Sequence, residues 1–218
     1  MTGFLQSIAL LVIGAILTGL LIPFITRQWQ QQQKALDVKA ELINDMTHLA
    51  AEMMEEKSMV AALAVIELSK AAGAPILKGY SGPEGDFVSR TNNWSMKRIM
   101  IRSRLKVYFP DPHIVRSWEQ LTTALLNYLW LDHHPVPQER NGLVNNIKEF
   151  IGDKVDGVDW HLVAAIRDDL ESLDLRIQQD RNTMRIGNAL AFELDALIEQ
   201  VMKSCIYGEF RLRELLDL

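Results

Sequence analysis

The feature that most constrains the fold of this chain is an uncharged run at its start, from Met1 to Thr26. Its apolar centre spans Ile8 to Ile25. A helix of about 20 apolar residues crosses the roughly 30 Å hydrocarbon core of a bilayer, so this run is long enough to do so. Arg27 is the first charge, and Trp29 follows it, as is common at a membrane interface. We therefore expect residues 1–27 to form one transmembrane anchor.

Two other interpretations of this run fit its residues less well. A cleavable signal peptide has a basic start, a short apolar centre and a small-residue cleavage site. No basic residue precedes Phe4, and the exit at residues 21–29 lacks such a site. A helix buried in a soluble core would have to be apolar on all sides for about five turns at a chain terminus, which is unusual.

The charges after the run predict its orientation. The flank carries three cations and two acids, namely Arg27, Lys34 and Lys39 with Asp37 and Glu41. The positive-inside rule then places the N-terminus outside and the C-terminal domain in the cytoplasm, attached to the plasma (inner) membrane. The single cysteine, Cys205, agrees with this, because one unpaired thiol offers nothing to an extracytoplasmic domain.

Composition excludes several classes of function. The net charge of −5 disfavours nucleic acid as a general partner. The sequence has no glycine-rich phosphate loop and no evident catalytic constellation, so we expect neither an enzyme nor a cofactor. Asp132, His133 and His134 are a candidate metal cluster, although adjacent histidines rarely bind one ion. We interpret them instead as a polar turn before two prolines, and expect no metal site.

The rest of the chain predicts an all-α fold. Residues 28–72 lack a helix breaker and are rich in helix-forming residues, which predicts a long juxtamembrane helix packing into a bundle. Residues 73–93, with four glycines and two prolines, predict a loop. We expect residues 94–218 to complete the helical bundle. Its predicted helices cover about 94–109, 113–131, 138–150 and 159–201, and Asp159 is the expected N-cap of the last one.

Apolar periodicity predicts which helical faces are buried. In the juxtamembrane helix the predicted heptad seam is Leu36, Ile43, Met46, Ala50, Met53, Val60 and Ala64, interrupted by Lys57. In the third helix the predicted stripe is Ile114, Trp118, Leu121, Leu125 and Tyr128. In the last helix the predicted seam is Val163, Ile166, Leu170, Leu173, Ile177, Met184, Ala191, Leu194, Ile198 and Val201, interrupted by Asp180 and Gly187.

The helix predicted from Trp94 to Phe109 is the most basic segment of the chain. Its cations are Lys97, Arg98, Arg102, Arg104 and Lys106, with no acid between Asp86 and Asp111. One interpretation is a binding site for an anionic ligand, such as a lipid head group, a nucleotide or an RNA backbone. The alternative is a solvated face, or cations paired with acids elsewhere in the fold, such as Glu52, Glu55, Glu56, Asp168 or Asp169.

Small residues within the apolar run suggest self-association. Gly14 and Thr18, and likewise Ala15 and Gly19, are four residues apart, a spacing that lets two helices approach closely in lipid. Leu36 and Ile43 on the juxtamembrane seam extend the candidate oligomerisation surface. The expected partners are therefore the lipid bilayer, further copies of the chain and an unidentified protein.

Two resemblances add to this interpretation. The segment Trp94 to Leu131, with its Tyr-Phe-Pro-Asp motif at 108–111 followed by Trp118 and Tyr128, resembles uncharacterised bacterial proteins with one N-terminal span and a cytoplasmic helical domain. The chain also resembles HEPN helical bundles, whose ribonuclease motif begins as Arg181-Asn182 does here. No histidine follows His161, so the catalytic half of that motif is missing.

These observations lead to one function hypothesis and two alternatives. The first is a membrane-anchored cytoplasmic helical assembly protein that forms homo-oligomers. An alternative is a membrane effector whose spans form a homo-oligomeric pore gated by the cytoplasmic domain. The other alternative is a HEPN-like module that binds RNA or another anionic ligand through the basic helix.

Overall fold

The structure is a computed structural model of the chain. It describes the backbone of residues 11, 14–15, 17–71, 84–131, 133, 136–166, 169–170 and 172–206, and within these ranges it leaves out the side-chain surroundings of residues 17, 20, 58–71 and 84–86. The chain divides into two units, one formed by residues 1–41 with 205–218 and the other by residues 42–204. Each unit is described by itself.

All regular secondary structure in the described residues is helical, so the predicted all-α class is confirmed. A π-helical turn, Leu17–Leu21, precedes the first α-helix. The α-helices are α1 (Ile22–Ala71), α2 (Glu84–Tyr108), α3 (Pro112–Trp130), α4 (Pro137–Ile151), α5 (Trp160–Ala164) and α6 (Leu173–Lys203), and a 3₁₀ turn, Gly152–Lys154, follows α4.

The predicted anchor is only partly covered by the structure, because residues 1–10, 12–13 and 16 lie outside the described part. Among the helices that are described, none is both long enough and apolar enough to span a bilayer. The transmembrane anchor therefore remains a prediction from the sequence.

The long helix α1 has the expected extent, but its buried face differs from the predicted seam. Among the α1 residues from 42 to 57, the buried apolar ones are Leu42, Met46, Leu49, Ala50 and Met53, while the predicted seam residues Val60 and Ala64 lie outside the described side chains. Met46, Ala50 and Met53 belong to the predicted seam, whereas Ile43 is only half-buried. In the unit that contains residues 1–41, Leu36 is 55% exposed and its neighbour Ala35 is buried. The predicted register is thus wrong by one residue at both positions.

The predicted loop at 73–93 is too long at its C-terminal end. Helix α2 begins at Glu84, ten residues before the predicted start at Trp94, and residues 72–83 lie outside the described part. The first turn of α2 has the sequence Glu-Gly-Asp and follows Pro83, and both acids and a preceding proline are typical of a helix N-terminus. Gly85 conceals this signal, because glycine is a poor helix former.

Helix α3 packs against α2, α4 and α6 and contributes more buried apolar residues than any one of them. Its start is fixed by Asp111, whose carboxylate accepts a hydrogen bond from the backbone N–H of His113, and by Pro112 in the first turn. The predicted stripe is confirmed in full, since Ile114, Trp118, Leu121, Leu125 and Tyr128 are all buried. Helix α4 also lies within one residue of its predicted bounds.

The predicted last helix is two helices. Asp159 caps α5 as predicted and accepts hydrogen bonds from the N–H groups of His161 and Leu162, but α5 ends at Ala164. Helix α6 starts at Leu173, where the hydroxyl of Ser172 accepts a hydrogen bond from the N–H of Leu175. No glycine or proline separates the two helices, so the apolar pattern alone did not reveal the break.

The buried face of α6 also differs from the predicted seam. Leu173, Ile177 and Met184 are 61%, 41% and 67% exposed. The buried residues of α6 are instead Gln179, Asn182, Ile186, Gly187, Leu190, Leu197 and Val201, of which only Val201 was predicted. This face contains polar and small residues. Two of them, Gln179 and Gly187, make tertiary contacts that a hydrophobic pattern does not indicate.

The Gln179 contact is at the C-terminus of α5, where the last turn of a helix leaves carbonyl groups in need of donor partners from elsewhere. The buried guanidinium of Arg140 donates to the carbonyl oxygens of Leu131, Val163, Ala164 and Ala165, at 3.2 Å to Val163 and 2.9 Å to Ala164 and Ala165. The side-chain amide of Gln179 donates to Leu162 and Ala165 at 2.9 and 2.8 Å. One cation and one amide therefore hold α5 between α4 and α6.

Candidate functional site

The basic segment lies on α2, and the structure shows what surrounds its cations. Three carboxylates on α1 pair with three cations on α2: Asp45 with Arg104 at 2.5 Å, Glu52 with Lys97 at 2.6 Å, and Glu56 with Arg90 at 3.0 Å. As the residue number rises on α1 it falls on α2, so the two helices run antiparallel in this unit. We refer to these three pairs as the ion-pair ladder.

Two further cations of the segment face α3. The guanidinium of Arg98 donates to the carbonyl oxygen of Glu119 at 3.2 Å and to the hydroxyl of Thr123 at 2.7 Å. Arg102 forms an ion pair with the Glu119 carboxylate. Burial lowers the pKa of Arg98 from its ordinary value, Glu119 opposes this change, and the neighbouring Arg102 adds to it. The indole N–H of Trp118 completes this edge by donating to the carbonyl oxygen of Arg98 at 3.3 Å.

The five cations predicted to bind an anionic ligand are therefore divided between two edges of α2. Lys97 and Arg104 face α1, and Arg98 and Arg102 face α3, so these four do not converge on one point. Lys106 is exposed near the end of the helix. The alternative interpretation, in which the cations pair with acids, describes Lys97, Arg102 and Arg104. Of their partners, Glu52 was suggested by the sequence, whereas Asp45 and Glu119 were not.

Two shallow grooves lie along the ion-pair ladder between α1 and α2. One has a volume of about 310 Å³ and is lined by Asp45, His48, Lys97 and Met100, among others. The other has a volume of about 330 Å³ and is lined by Glu52, Glu55, Glu56, Arg90, Asn93 and Trp94. Because each groove carries both signs of charge, neither selects an anion on electrostatic grounds.

The interruption of the α1 seam at Lys57 has a structural cause. Lys57 is buried, its ammonium group donates to the carbonyl oxygen of Tyr128 at 3.1 Å, and it lies 4.5 Å from the centre of the Tyr128 ring. The Tyr128 hydroxyl in turn donates to the carbonyl oxygen of Thr183 at 3.0 Å. A β-carbon at Gly187 would lie only 2.9 Å from that hydroxyl, so glycine makes room for the tyrosine. This polar contact between α1, α3 and α6 stabilises the bundle.

The candidate metal residues lie next to an aromatic cluster. The ring of His133 stacks on Phe87 at 3.6 Å with 24° between the planes, and Trp94 and Trp130 contact Phe87 edge-on. Asp132 and His134 lie outside the described residues. Across the part of the chain that is described, no three His, Cys, Asp or Glu side chains come together to hold a metal ion.

The predicted oligomerisation residues of the anchor are exposed or half-exposed in the structure. Ala15, Thr18 and Gly19 are exposed, Gly14 is half-exposed, and the Thr18 hydroxyl donates to the carbonyl oxygen of Gly14 at 2.7 Å. A β-carbon at Gly14 or Gly19 would meet no heavy atom within 4 Å. These small residues therefore present an open helical surface, and their role in association remains a prediction.

Two exposed apolar surfaces of the bundle were not predicted from the sequence. On α2, five large apolar side chains are 57% to 65% exposed, namely Val88, Met96, Ile99, Met100 and Val107. On α6, the exposed apolar side chains include Leu173, Ile177, Met184, Phe192 and Met202. The apolar residues of α2 recur at a helical spacing, which was a usable signal in the sequence. It was not recognised, because residues up to 93 were predicted to be a loop and only the cations of the following helix were considered.

Comparison of the chain with protein-family models, with curated proteins and with solved structures found no match. The resemblances to single-span bacterial proteins and to HEPN bundles therefore stay predictions. Of the HEPN-like pair, Arg181 is exposed and Asn182 is buried, so the two side chains do not face one site.

Proposed function

We propose that this chain is a membrane-anchored helical assembly protein that forms homo-oligomers, with its helical bundle on the cytoplasmic side of the plasma membrane. Its anchor is residues 1–27, and no catalytic step is assigned to it. The alternative of an anionic-ligand site on α2 has less support, because most of its cations already contact protein acceptors.

The observation that carries the proposal is the exposure of large apolar side chains at the end of the π-helical turn and the start of α1. Leu21, Ile22, Phe24 and Ile25 are 45% to 56% exposed, and Trp29 is 63% exposed. Soluble proteins rarely leave a continuous apolar patch in water, and such a patch indicates a membrane or protein contact. The uncharged run that precedes these residues in the sequence favours lipid as the contact.

Charge placed within the anchor tests this proposal in the full chain. Each arginine near the centre of a span costs about 2.5 to 3.5 kcal/mol of insertion free energy. We expect the double substitution Ala15→Arg and Gly19→Arg to move the protein from the carbonate-resistant membrane fraction to the supernatant. The control is Gln31→Arg with Gln33→Arg, which adds the same charge at exposed positions beyond the span and is expected to leave the protein in the membrane.

The opposite outcomes would reject the anchor. If carbonate extracts the unsubstituted chain, or if both double variants remain in the membrane to the same extent, then residues 1–27 do not hold the protein there by spanning the bilayer. Ion conductance of liposomes that contain the purified chain distinguishes the two membrane hypotheses. No conductance is expected from a simple assembly protein, whereas a pore would conduct ions.

A further inference from the structure

The solvent-facing side of α2 is an exposed apolar surface within the unit of residues 42–204. Its buried side consists of Phe87, Trp94, Ile101 and Leu105. With about 100° of rotation per residue, the five exposed apolar residues fall within an arc of roughly 120° on the opposite side. They are Val88, Met96, Ile99, Met100 and Val107. We call this surface the α2 face.

Four residues of the α2 face, all but Met100, form with the exposed Asn92 and Ser103 a spacing that reads the same from both ends. Residues 88, 92, 96, 99, 103 and 107 follow one another at intervals of 4, 4, 3, 4 and 4, and all six are exposed. In an antiparallel pair of α2 helices, Val88 of one copy is level with Val107 of the other, and Met96 is level with Ile99. The polar Asn92 and Ser103 are then level with each other. An interface with two-fold symmetry requires such self-complementarity of one patch.

The helix dipoles of α2 favour the same antiparallel arrangement. Antiparallel pairing places the N-terminal end of one helix beside the C-terminal end of the other, so the dipoles oppose each other favourably. It also keeps the two copies of Lys106, which is exposed near the end of α2, at opposite ends of the pair. A parallel pair would bring these two cations together, and like charges at close range are unfavourable.

An anionic lipid surface is a less suitable occupant of the α2 face. Binding to such a surface depends on cations that are free to interact with lipid head groups. Lys97, Arg102 and Arg104 already form ion pairs with Glu52, Glu119 and Asp45. The apolar side chains of the α2 face are thus exposed, whereas most of the positive charge on α2 is already neutralised by carboxylates of the same chain.

We propose that the α2 face is a dimerisation surface, on which α2 of a second copy packs antiparallel about a point between Lys97 and Arg98. This extends the proposed function, because it rests on self-association and names a contact within the helical bundle. It does not depend on the transmembrane anchor, since every residue of the α2 face lies between residues 84 and 108.

Cross-linking of single cysteines tests the register in the full chain, purified in mild detergent. In a Cys205→Ser background, one variant carries Val88→Cys and another Val107→Cys. In the antiparallel register the two different cysteines are level, whereas identical cysteines are about 29 Å apart, at 1.5 Å per residue. A short bismaleimide should therefore cross-link the two variants when they are co-expressed, and neither variant when it is expressed alone.

A matched control and a charge variant complete the experiment. The control pair is Met184→Cys with Met202→Cys, two exposed positions on α6 with a similar separation, and no cross-linked dimer is expected from it. The double variant Met96→Asp and Ile99→Asp should raise the dissociation constant of the dimer about a hundredfold or more, because it buries carboxylates without partners. Met184→Asp should leave that constant unchanged, and circular dichroism should show that both proteins remain helical.

Each other result overturns the proposal. Cross-linking of either variant with itself indicates a parallel or different contact. If the mass is that of an oligomer but the co-expressed pair does not cross-link, the α2 face is not the dimerisation surface, although the chain still self-associates. If the mass is that of a single chain, both the α2 dimer and self-association are rejected. A fluorophore attached at Met96→Cys reports lipid contact by a blue shift of its emission. If the shift occurs on anionic vesicles but not without them, and is the same at every protein concentration, the α2 face binds lipid.

Discussion

Gly187 and Tyr128 show how a single residue decides packing at the centre of the bundle. Because the tyrosine ring is buried beneath Lys57 and its hydroxyl is held by Thr183, the ring cannot easily move away from an added methyl group. We expect Gly187→Ala to lower the free energy of unfolding by about 1 to 3 kcal/mol, as overpacking commonly does. The measurement is thermal loss of helical circular dichroism in detergent.

The control for this substitution is Gly142→Ala in α4. A β-carbon at Gly142 would meet no heavy atom within 4 Å. Alanine also favours the helix by roughly 0.5 to 1 kcal/mol over glycine, so this variant should be as stable as the parent or more stable. Equal stability of the Gly187→Ala and Gly142→Ala variants would show that the close approach of Tyr128 does not constrain residue 187.

Sequence reasoning identified Lys57 and Gly187 as departures from an apolar pattern but did not identify their purpose. The partner of Lys57 is the backbone and ring of a residue 71 positions later, and that of Gly187 is the hydroxyl of the same tyrosine. Arg140 is a similar case, since its acceptors are carbonyl groups rather than acids. Contacts of this kind depend on tertiary structure, and local spacing does not encode them.

Among the helices, α1 and α2 are aligned by the ion-pair ladder. Exchanging the charges of one pair tests this alignment. We expect Glu52→Lys and Lys97→Glu each to lower the free energy of unfolding, because each places like charges together. The double variant should recover about 0.5 to 1 kcal/mol relative to the sum of the single variants, as measured for partly exposed pairs. High salt should reduce this coupling.

The matched control for the charge exchange is Glu199 with Lys203, an exposed pair within α6. The hydrogen bond and charge of Lys203 lower the pKa of the Glu199 carboxyl, but both groups are in solvent and join no two helices. Exchange of this pair should change stability less than exchange of Glu52 and Lys97. Additive effects of Glu52→Lys and Lys97→Glu would contradict the alignment of α1 with α2.

Helix type was predictable from the sequence, while helix faces and ends were less so. The α3 stripe was predicted correctly because α3 has only one apolar face, capped by an unambiguous Asp-Pro start. Helices α1 and α6 have apolar residues on two faces, so periodicity alone did not distinguish buried Ala35 from exposed Leu36. On α6 the exposed stripe through Ile177 and Met184 was more regular than the buried one, which contains Gln179 and Gly187.

At the scale of the whole molecule, the chain combines a helical bundle with a predicted anchor and two proposed modes of self-association. Close approach of Gly14, Ala15, Thr18 and Gly19 in lipid is one mode, and the α2 face is the other. The first lies in the unit of residues 1–41 and the second in the unit of residues 42–204. Two independent contacts of this kind would let one chain join more than one neighbour.

The mass of the full chain in mild detergent tests the central claim of self-association most directly. Light scattering with correction for bound detergent gives the mass of the protein alone, which is 24.8 kDa for one chain. Measured over about a tenfold range of protein concentration, the mass should be a multiple of that value, and it should decrease as dilution favours dissociation. A monodisperse species with the mass of one chain at every concentration would contradict the account.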